Sequence, residues 1–167
     1  NYYIKKYRIK GFLHGFSRLF KRTRANNSWI TTCWLNAVGI KTAKPILLYE
    51  EDGFLGARTS FFVTEEIEGK RLDMAIEEGI NIDFTVSKLQ SFFKRMNWIE
   101  FSHGDVKTSN FYIDQIGLVV IDLDSAGKRF SKYLYKKSVS RDKNRILSSL
   151  KDHHEIYSKL AKRFQRS

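Results

Sequence analysis

Two stretches near the middle of the chain hold residue types that could do chemistry. The first is His103-Gly104-Asp105-Val106-Lys107-Thr108-Ser109-Asn110. The second is Val119-Val120-Ile121-Asp122-Leu123-Asp124, with 12 residues from Asn110 to Asp122. A loop carboxylate such as Asp105 can take a proton from a hydroxyl. An amide oxygen (Asn110) and a second carboxylate (Asp122) are hard ligands of the kind Mg²⁺ prefers. Lys107, two residues past Asp105, adds a point charge that can reach a phosphate. This is the kit for moving a phosphoryl group onto a hydroxyl, a reaction carried mostly by positioning and charge neutralisation.

Those groups need elements to hold them. The apolar run before Asp122 reads as a buried strand that would keep its carboxylate still. Phe111 to Ile121 reads as two short strands around Asp114–Gly117. Phe84 to Trp98 has Val86, Leu89, Phe92 or Phe93, and Met96 on one side, the spacing of an amphipathic helix. A shorter helix is expected over 70–79 and a basic helix over 141–166. Upstream, Tyr2-Tyr3-Ile4 reads as a strand ending at Lys5-Lys6, and residues 11–22 are mixed. From Thr23 to Val38 the pattern is helical, with Ala25, Trp29, Cys33 or Trp34, and Ala37 recurring; Thr23 is a candidate cap and Gly39 the stop. Pro45–Tyr49 and Ser60–Thr64 read as strands of a hairpin whose turn covers Glu51–Gly56. Strands first and helices later suggest an α+β fold with segregated lobes.

Composition narrows the classes. The chain has 167 residues, 42% hydrophobic and 14% aromatic, enough apolar material for a core and too much for disorder. One cysteine, Cys33, excludes an intrachain disulfide framework and argues against a zinc finger or ribbon. No apolar run is long enough to span a membrane, and the first ten residues lack a secretory h-region. These features point to a cytoplasmic protein. The net charge of +12 is uneven: residues 1–24 carry +8, residues 25–126 carry −6 and residues 127–167 carry +10. Charge alone would admit a nucleic-acid binder with basic flanks. No zinc finger, GXXG loop or aromatic RNA-binding motif accompanies it, so nucleic acid is not the expected partner.

The spacing H-G-D-x-K-x-x-N followed by the strand ending in Asp122 resembles the protein-kinase catalytic loop and its downstream metal-binding aspartate. Asp105 then stands as the base, Asn110 and Asp122 as metal ligands, and Lys107 beside the transferring phosphate. Tyr2-Tyr3-Ile4-Lys5 resembles the kinase strand whose lysine pairs the α/β-phosphates; Lys6 competes with Lys5 for that role. Phe61-Phe62-Val63-Thr64-Glu65-Glu66-Ile67-Glu68-Gly69 resembles the strand and hinge between kinase lobes. There the backbone of Glu65, Glu66 and Ile67 would hydrogen-bond adenine and Thr64 would line the back of the pocket.

The whole chain resembles the lipopolysaccharide kinase family of bacteria. The resemblance is carried by YIKKY (3–7), T-R-A-x-x-S-W (23–29) with L-x-x-x-G-I-x-T-x-x-P (35–45), VTEEIEG (63–69), HGDVKTSNFYID (103–114) and VVIDLDS (119–125). It implies a two-lobed, protein-kinase-like α+β domain. Residues 1–66 would form a partial N-lobe and residues 67–167 a mainly helical C-lobe with the catalytic loop. It implies an ATP- and Mg²⁺-dependent transfer of phosphate to a heptose or Kdo hydroxyl of the lipopolysaccharide inner core. The acceptor would be that core or another anionic glycolipid, met at the inner face of the bacterial inner membrane, and the basic flanks would suit both.

Several departures accompany the resemblance. The kinase Gly-rich loop would fall before Asn1, so the N-lobe is expected to be incomplete. D-L-D stands where D-F-G is usual, placing Asp124 at the glycine. The helix at 23–38 has no Glu to pair with Lys5, and residues 7–49 hold no acid at all. No long activation segment follows Ser125, which argues for a small or lipid-linked acceptor over a peptide. Two rival readings are an atypical RIO-like Ser/Thr protein kinase and a non-catalytic nucleotide-binding module. His103 is read as a structural histidine of the loop, and His153-His154 as a solvated pair. Cys33, Trp29, Trp34 and Trp98 are read as packing residues, and Asp142 as paired with a nearby Arg.

Overall fold

The computed structural model describes residues 1–9, 22–52, 58–114, 116–129 and 131–165. Residues 11–21 and most of the turn expected over 51–56 lie outside them. The described chain divides into two compact units, one of Asn1–Ile67 with Leu123–Ser125, the other of Glu68–Asp122 with Ala126–Ser167.

The first unit is a three-stranded antiparallel sheet with a helix on one face. Strands β1 (Tyr2–Ile9), β2 (Pro45–Asp52) and β3 (Arg58–Glu65) take the order β1-β3-β2. Helix α1 (Arg24–Ala37) starts where Thr23 accepts the Asn26 N–H at 3.0 Å. It stops at Gly39 (φ 76), where the Ile40 N–H returns to the Leu35 carbonyl at 2.8 Å. Register decides which side chains share a face. Lys5 pairs with Phe62 and Leu48 pairs with Phe62 from the other side. Tyr7, Phe62 and Leu48 pack with Ala25 and Trp29 of α1. The alternate residues Lys6, Phe61 and Tyr49 lie on the opposite face, with Lys6 Nζ 5.0 Å from the Phe61 ring centre.

The expected apolar face of α1 is wrong in detail. The buried side is Ala25, Ser28, Thr31, Thr32 and Leu35, while Cys33 is exposed and Trp34 is 56% exposed. Small hydroxyl residues let the helix lie close to its neighbours, which turns the bulky Trp34 outward. Trp98 is likewise exposed, and Trp29 alone of the three tryptophans packs as expected, edge-on to Phe62 at 6.3 Å.

The second unit is mainly helical. It runs β4 (Lys70–Arg71), α2 (Leu72–Glu77), α3 (Ile82–Trp98), β5 (Phe101–Ser102), β6 (Phe111–Ile113), β7 (Leu118–Val120), β8 (Gly127–Lys128), α4 (Lys132–Ser149) and α5 (His154–Gln165). Sheet pairings are β4-β6-β7 and β5-β8. The predicted stripe of α3 is the core: Val86, Leu89, Phe92, Phe93 and Met96 are buried. Phe92 meets Phe111 edge-on at 5.1 Å and Phe93 meets Phe164 at 4.8 Å. Two expected elements change. The helix over 70–79 shortens to α2 because Lys70 and Arg71 pair with Ile113 and Tyr112. The helix over 141–166 begins earlier, as α4, and breaks at residues 150–153. There the Leu150 and His153 N–H groups turn back to Leu147 and Leu150, and α5 then buries Ile156 and Leu160. Gly69 (φ +120) joins β4 to the preceding segment; a Cβ there would stand 2.8 Å from the Ile113 carbonyl oxygen.

Candidate active site

The loop after β5 is held by its own backbone and by α4. Ser102 ends β5, and the chain turns through Gly104 at φ 85. The N–H groups of His103 and Gly104 then point at one carboxylate, Asp142 of α4, at 2.9 and 3.1 Å. Arg145, one helical turn on, donates to the Gly104 carbonyl and reaches Asp105 Oδ1 at 3.5 Å. Asp142 therefore spends its hydrogen bonds on loop backbone, and the expected nearby arginine, Arg145, acts on it through charge. Burial pushes its carboxyl up, and the Gly104 N–H, His103 and Arg145 oppose that shift.

His103 is fully buried and its hydrogen bonds fix one tautomer. Nδ1 accepts the Asp105 N–H at 3.3 Å, so the proton sits on Nε2, which donates to the Ile121 carbonyl at 3.0 Å. Burial pushes the ring below its ordinary pKa of 6.5, outweighing the Ile121 carbonyl and the nearby Asp142, Asp122 and Asp105. A neutral, buried ring tying the loop to the strand before Asp122 is a structural part, as expected for His103.

Around Asp105 the predicted residues gather. Lys107 Nζ lies 3.4 Å from Asp105 Oδ2. Asn110 Nδ2 donates to the Asp105 carbonyl at 2.8 Å and to Oδ2 at 3.3 Å. Partial burial works to raise the Asp105 pKa; Lys107, Arg145 and Asn110 together outweigh it and hold the carboxyl below its ordinary value. The amide nitrogen of Asn110 is committed to Asp105, which leaves its oxygen for a cation. Asp122 follows Ile121, whose N–H donates to the Asn110 carbonyl at 3.0 Å and whose carbonyl takes the His103 proton. Both backbone groups before Asp122 thus grip the loop that carries Asp105 and Asn110. Asp122 itself has φ 60, a left-handed conformation that a non-glycine residue keeps only when its surroundings impose it.

No group of three or more His, Cys, Asp or Glu among the described residues could hold a metal ion alone. An Asn oxygen and one carboxylate fit instead the manner in which Mg²⁺ is usually held, by one or two protein oxygens completed by phosphate and water.

The remaining predicted residues belong to the first unit. Lys5 is on the α1 face of the sheet and its Nζ is 5.6 Å from the Tyr7 ring centre, whereas Lys6 faces the other way. Thr64 is buried and shares the Lys5 face. The hinge expectation narrows: the Glu65 and Glu66 N–H groups already donate to the Lys44 and Asn1 carbonyls, at 2.9 and 3.2 Å. A base at this segment would be left the carbonyls and the Ile67 N–H.

Sequence reasoning missed Arg145 as a neighbour of Asp105. The signal, an Asp and an Arg three apart on one helical face, is present in Asp142-Lys143-Asn144-Arg145, but nothing in it says that this face meets a loop about forty residues upstream.

A family model described as the lipopolysaccharide kinase (Kdo/WaaP) family matches residues 1–164. Among solved structures, the chain is similar to WaaP in complex with acyl carrier protein, at 19% identity and a TM-score of 0.69, over 99% of this chain and 70% of that one. It is also similar to a chain of the yeast RNA Pol II CTD kinase CTDK-1 complex, at 17% identity and a TM-score of 0.51, over 78% of this chain and 40% of that one. These likenesses show the fold, which is α+β and protein-kinase-like. A search of curated proteins by sequence returns no significant match.

Proposed function

Because the chain belongs to the lipopolysaccharide kinase (Kdo/WaaP) family, we propose that it phosphorylates a sugar hydroxyl, of heptose or Kdo, in the lipopolysaccharide inner core, from the cytoplasmic side. The observation that carries this reading is the Asp105 cluster: a half-buried carboxylate held ionised by Lys107 and Arg145, with Asn110 locked beside it. Asp105 takes the proton of the acceptor hydroxyl as the new bond forms. Lys107 neutralises charge on the phosphoryl group in transit. The Asn110 oxygen and the Asp122 carboxylate would hold Mg²⁺. Lys5 would meet the nucleotide phosphates, and Thr64 with the Glu65, Glu66 and Ile67 backbone would meet adenine. ATP would supply the phosphoryl group, its bond to the departing ADP breaking as the bond to the sugar oxygen forms, and Mg²⁺ held by Asn110 and Asp122 would screen the charge. The step from Ser125 through β8 to α4 crosses only residues 126–131, which supports a small or lipid-linked acceptor over a peptide.

The test is mass spectrometry of core oligosaccharide from cells with the gene, without it, and with Asp105→Asn. Loss of one phosphate in the last two supports the reading, with the variant's rate down about 10²–10⁴-fold in the purified protein. Unchanged core phosphate would end it, and phosphate appearing in protein instead would favour the protein-kinase alternative. The solved WaaP structure is a complex with acyl carrier protein, so we add a carrier protein to the partners to be sought by co-purification.

A further inference from the structure

We propose that Arg24 and Asp124 form a latch between α1 and the D-L-D turn, positioning that turn in place of the absent α1 glutamate. The proposal rests on the kinase reading for what the turn positions. The contacts themselves lie within the first unit, which includes Leu123–Ser125.

Arg24 begins α1, and both its Nε and its Nη2 donate to Asp124 Oδ2, the former at 2.8 Å. Asn27, one turn on, donates from Nδ2 to the Asp124 carbonyl at 2.8 Å. The helix thus grips both the side chain and the backbone of one residue. The Asp124 side chain is 6% exposed and that of Arg24 66% exposed. A carboxylate that far from water needs its cation, whereas the arginine could stay hydrated without the acid. The position of Arg24 also runs against the helix itself: a cation in the first turn meets the positive end of the dipole, and α1 supplies no acid there, the Glu50 carboxylate of β2 being bonded to the cap Thr23. A local rule broken in this way points to a partner outside the helix, and that partner is Asp124.

The latch continues into the sheet. The Arg24 guanidinium carbon lies 5.0 Å from the centre of the Tyr7 ring, and Lys5 Nζ lies 5.6 Å from the same centre. Tyr7 is buried, and its hydroxyl meets Ser28 of α1 at 3.4 Å. One aromatic ring therefore connects the candidate phosphate lysine to the arginine that holds the D-L-D turn. In the usual kinase arrangement a helix acid meets the strand lysine. Here the polarity is reversed: the helix offers the cation and the turn offers the acid. The turn starts directly after Asp122, whose φ of 60 must be imposed by its surroundings.

The experiment compares the wild-type protein with Arg24→Ala, Arg24→Lys, Asp124→Asn and the exchange R24D/D124R. Hydrogen exchange of the 123–126 amides is read without nucleotide. The Mg²⁺ concentration giving half-maximal ATP binding, and kcat, are read with it. The latch predicts exchange in Arg24→Ala faster by about tenfold, a raised Mg²⁺ requirement and a kcat lowered by about tenfold. Arg24→Lys should lie in between, Asp124→Asn should lose less than Arg24→Ala, and the exchange should recover part of the loss. Exchange rates within twofold of wild type in Arg24→Ala would overturn the latch. So would faster exchange with unchanged Mg²⁺ dependence, which would make the pair a plain structural tie. Should the wild type phosphorylate no core oligosaccharide, the functional reading falls while amide exchange and Mg²⁺-dependent ATP binding still decide the latch.

Discussion

The residue whose chemistry is most tightly set by its surroundings is His103. Its two ring nitrogens are assigned by the groups they face, a donor N–H on one side and a carbonyl on the other. Its folded-state pKa lies below the ordinary 6.5, so as pH falls the unfolded chain takes up the proton first. The stability this group contributes is complete above pH 6.5 and is lost as pH falls through the folded value. Thermal unfolding measured from about pH 7.5 to about pH 5 should therefore show a falling midpoint. His103→Asn should be less stable throughout and show a shallower slope; an unchanged slope would remove His103 as its source. The proposed set of Asp105, Lys107, Asn110 and Asp122 came from spacing alone, and the structure brings Lys107 and Asn110 against Asp105. The close approach of Arg145 was not readable from spacing.

At the scale of elements, α4 is the part that holds the loop. Asp142 satisfies two backbone N–H groups that would otherwise be buried without partners. Removing an acceptor of that kind costs about 1–3 kcal/mol per orphaned donor. Asp142→Ala should thus unfold at lower urea, with a loss of about 2–6 kcal/mol in all, and lose kcat more than ATP affinity. Asp142→Asn keeps one acceptor oxygen and should lose about half as much. Gly69 marks a second constraint. With φ +120 and the Ile113 carbonyl 2.8 Å from a built Cβ, Gly69→Ala meets both backbone strain and a clash. A loss of about 1–3 kcal/mol is expected in chemical denaturation, and a neutral result would show that the β4 entry relaxes freely. The α3 stripe and the Thr23 cap were legible because one helix face and one cap are local patterns. The outward turn of Trp34 and the break between α4 and α5 were not. The first depends on how closely Ser28, Thr31 and Thr32 let α1 approach its neighbours. The second happens without a glycine or proline.

For the whole molecule the charge pattern is the property that reaches furthest. The −6 middle segment carries Asp105, Asn110 and Asp122, and the +8 and +10 segments flank it. On α4, Lys132, Lys136, Lys137 and Arg141 are exposed, with Tyr133 and Leu134 exposed beside them. No helix among the described residues is long and apolar enough to cross a membrane. Cations near an anionic leaflet contribute about 1 kcal/mol each at low salt. The protein should therefore bind vesicles containing anionic lipid over neutral ones, and release them as ionic strength rises. Equal partition between the two vesicle types at low salt would return those lysines to the role of solvated surface.

The order of side chains along the chain determined the reaction class by itself. The roles proposed for Asp105, Lys107, Asn110 and Asp122 rest on their covalent spacing and their own functional groups, and both are written in sequence. Tertiary structure decided which groups hold them. Asp142 and Arg145 arrive from α4, and Arg24 reaches Asp124 across a hundred positions of chain. Register put Lys5, and not its neighbour Lys6, on the α1 face. These are long-range choices, made by burial and by the pairing of charges that burial demands, and no local pattern contains them.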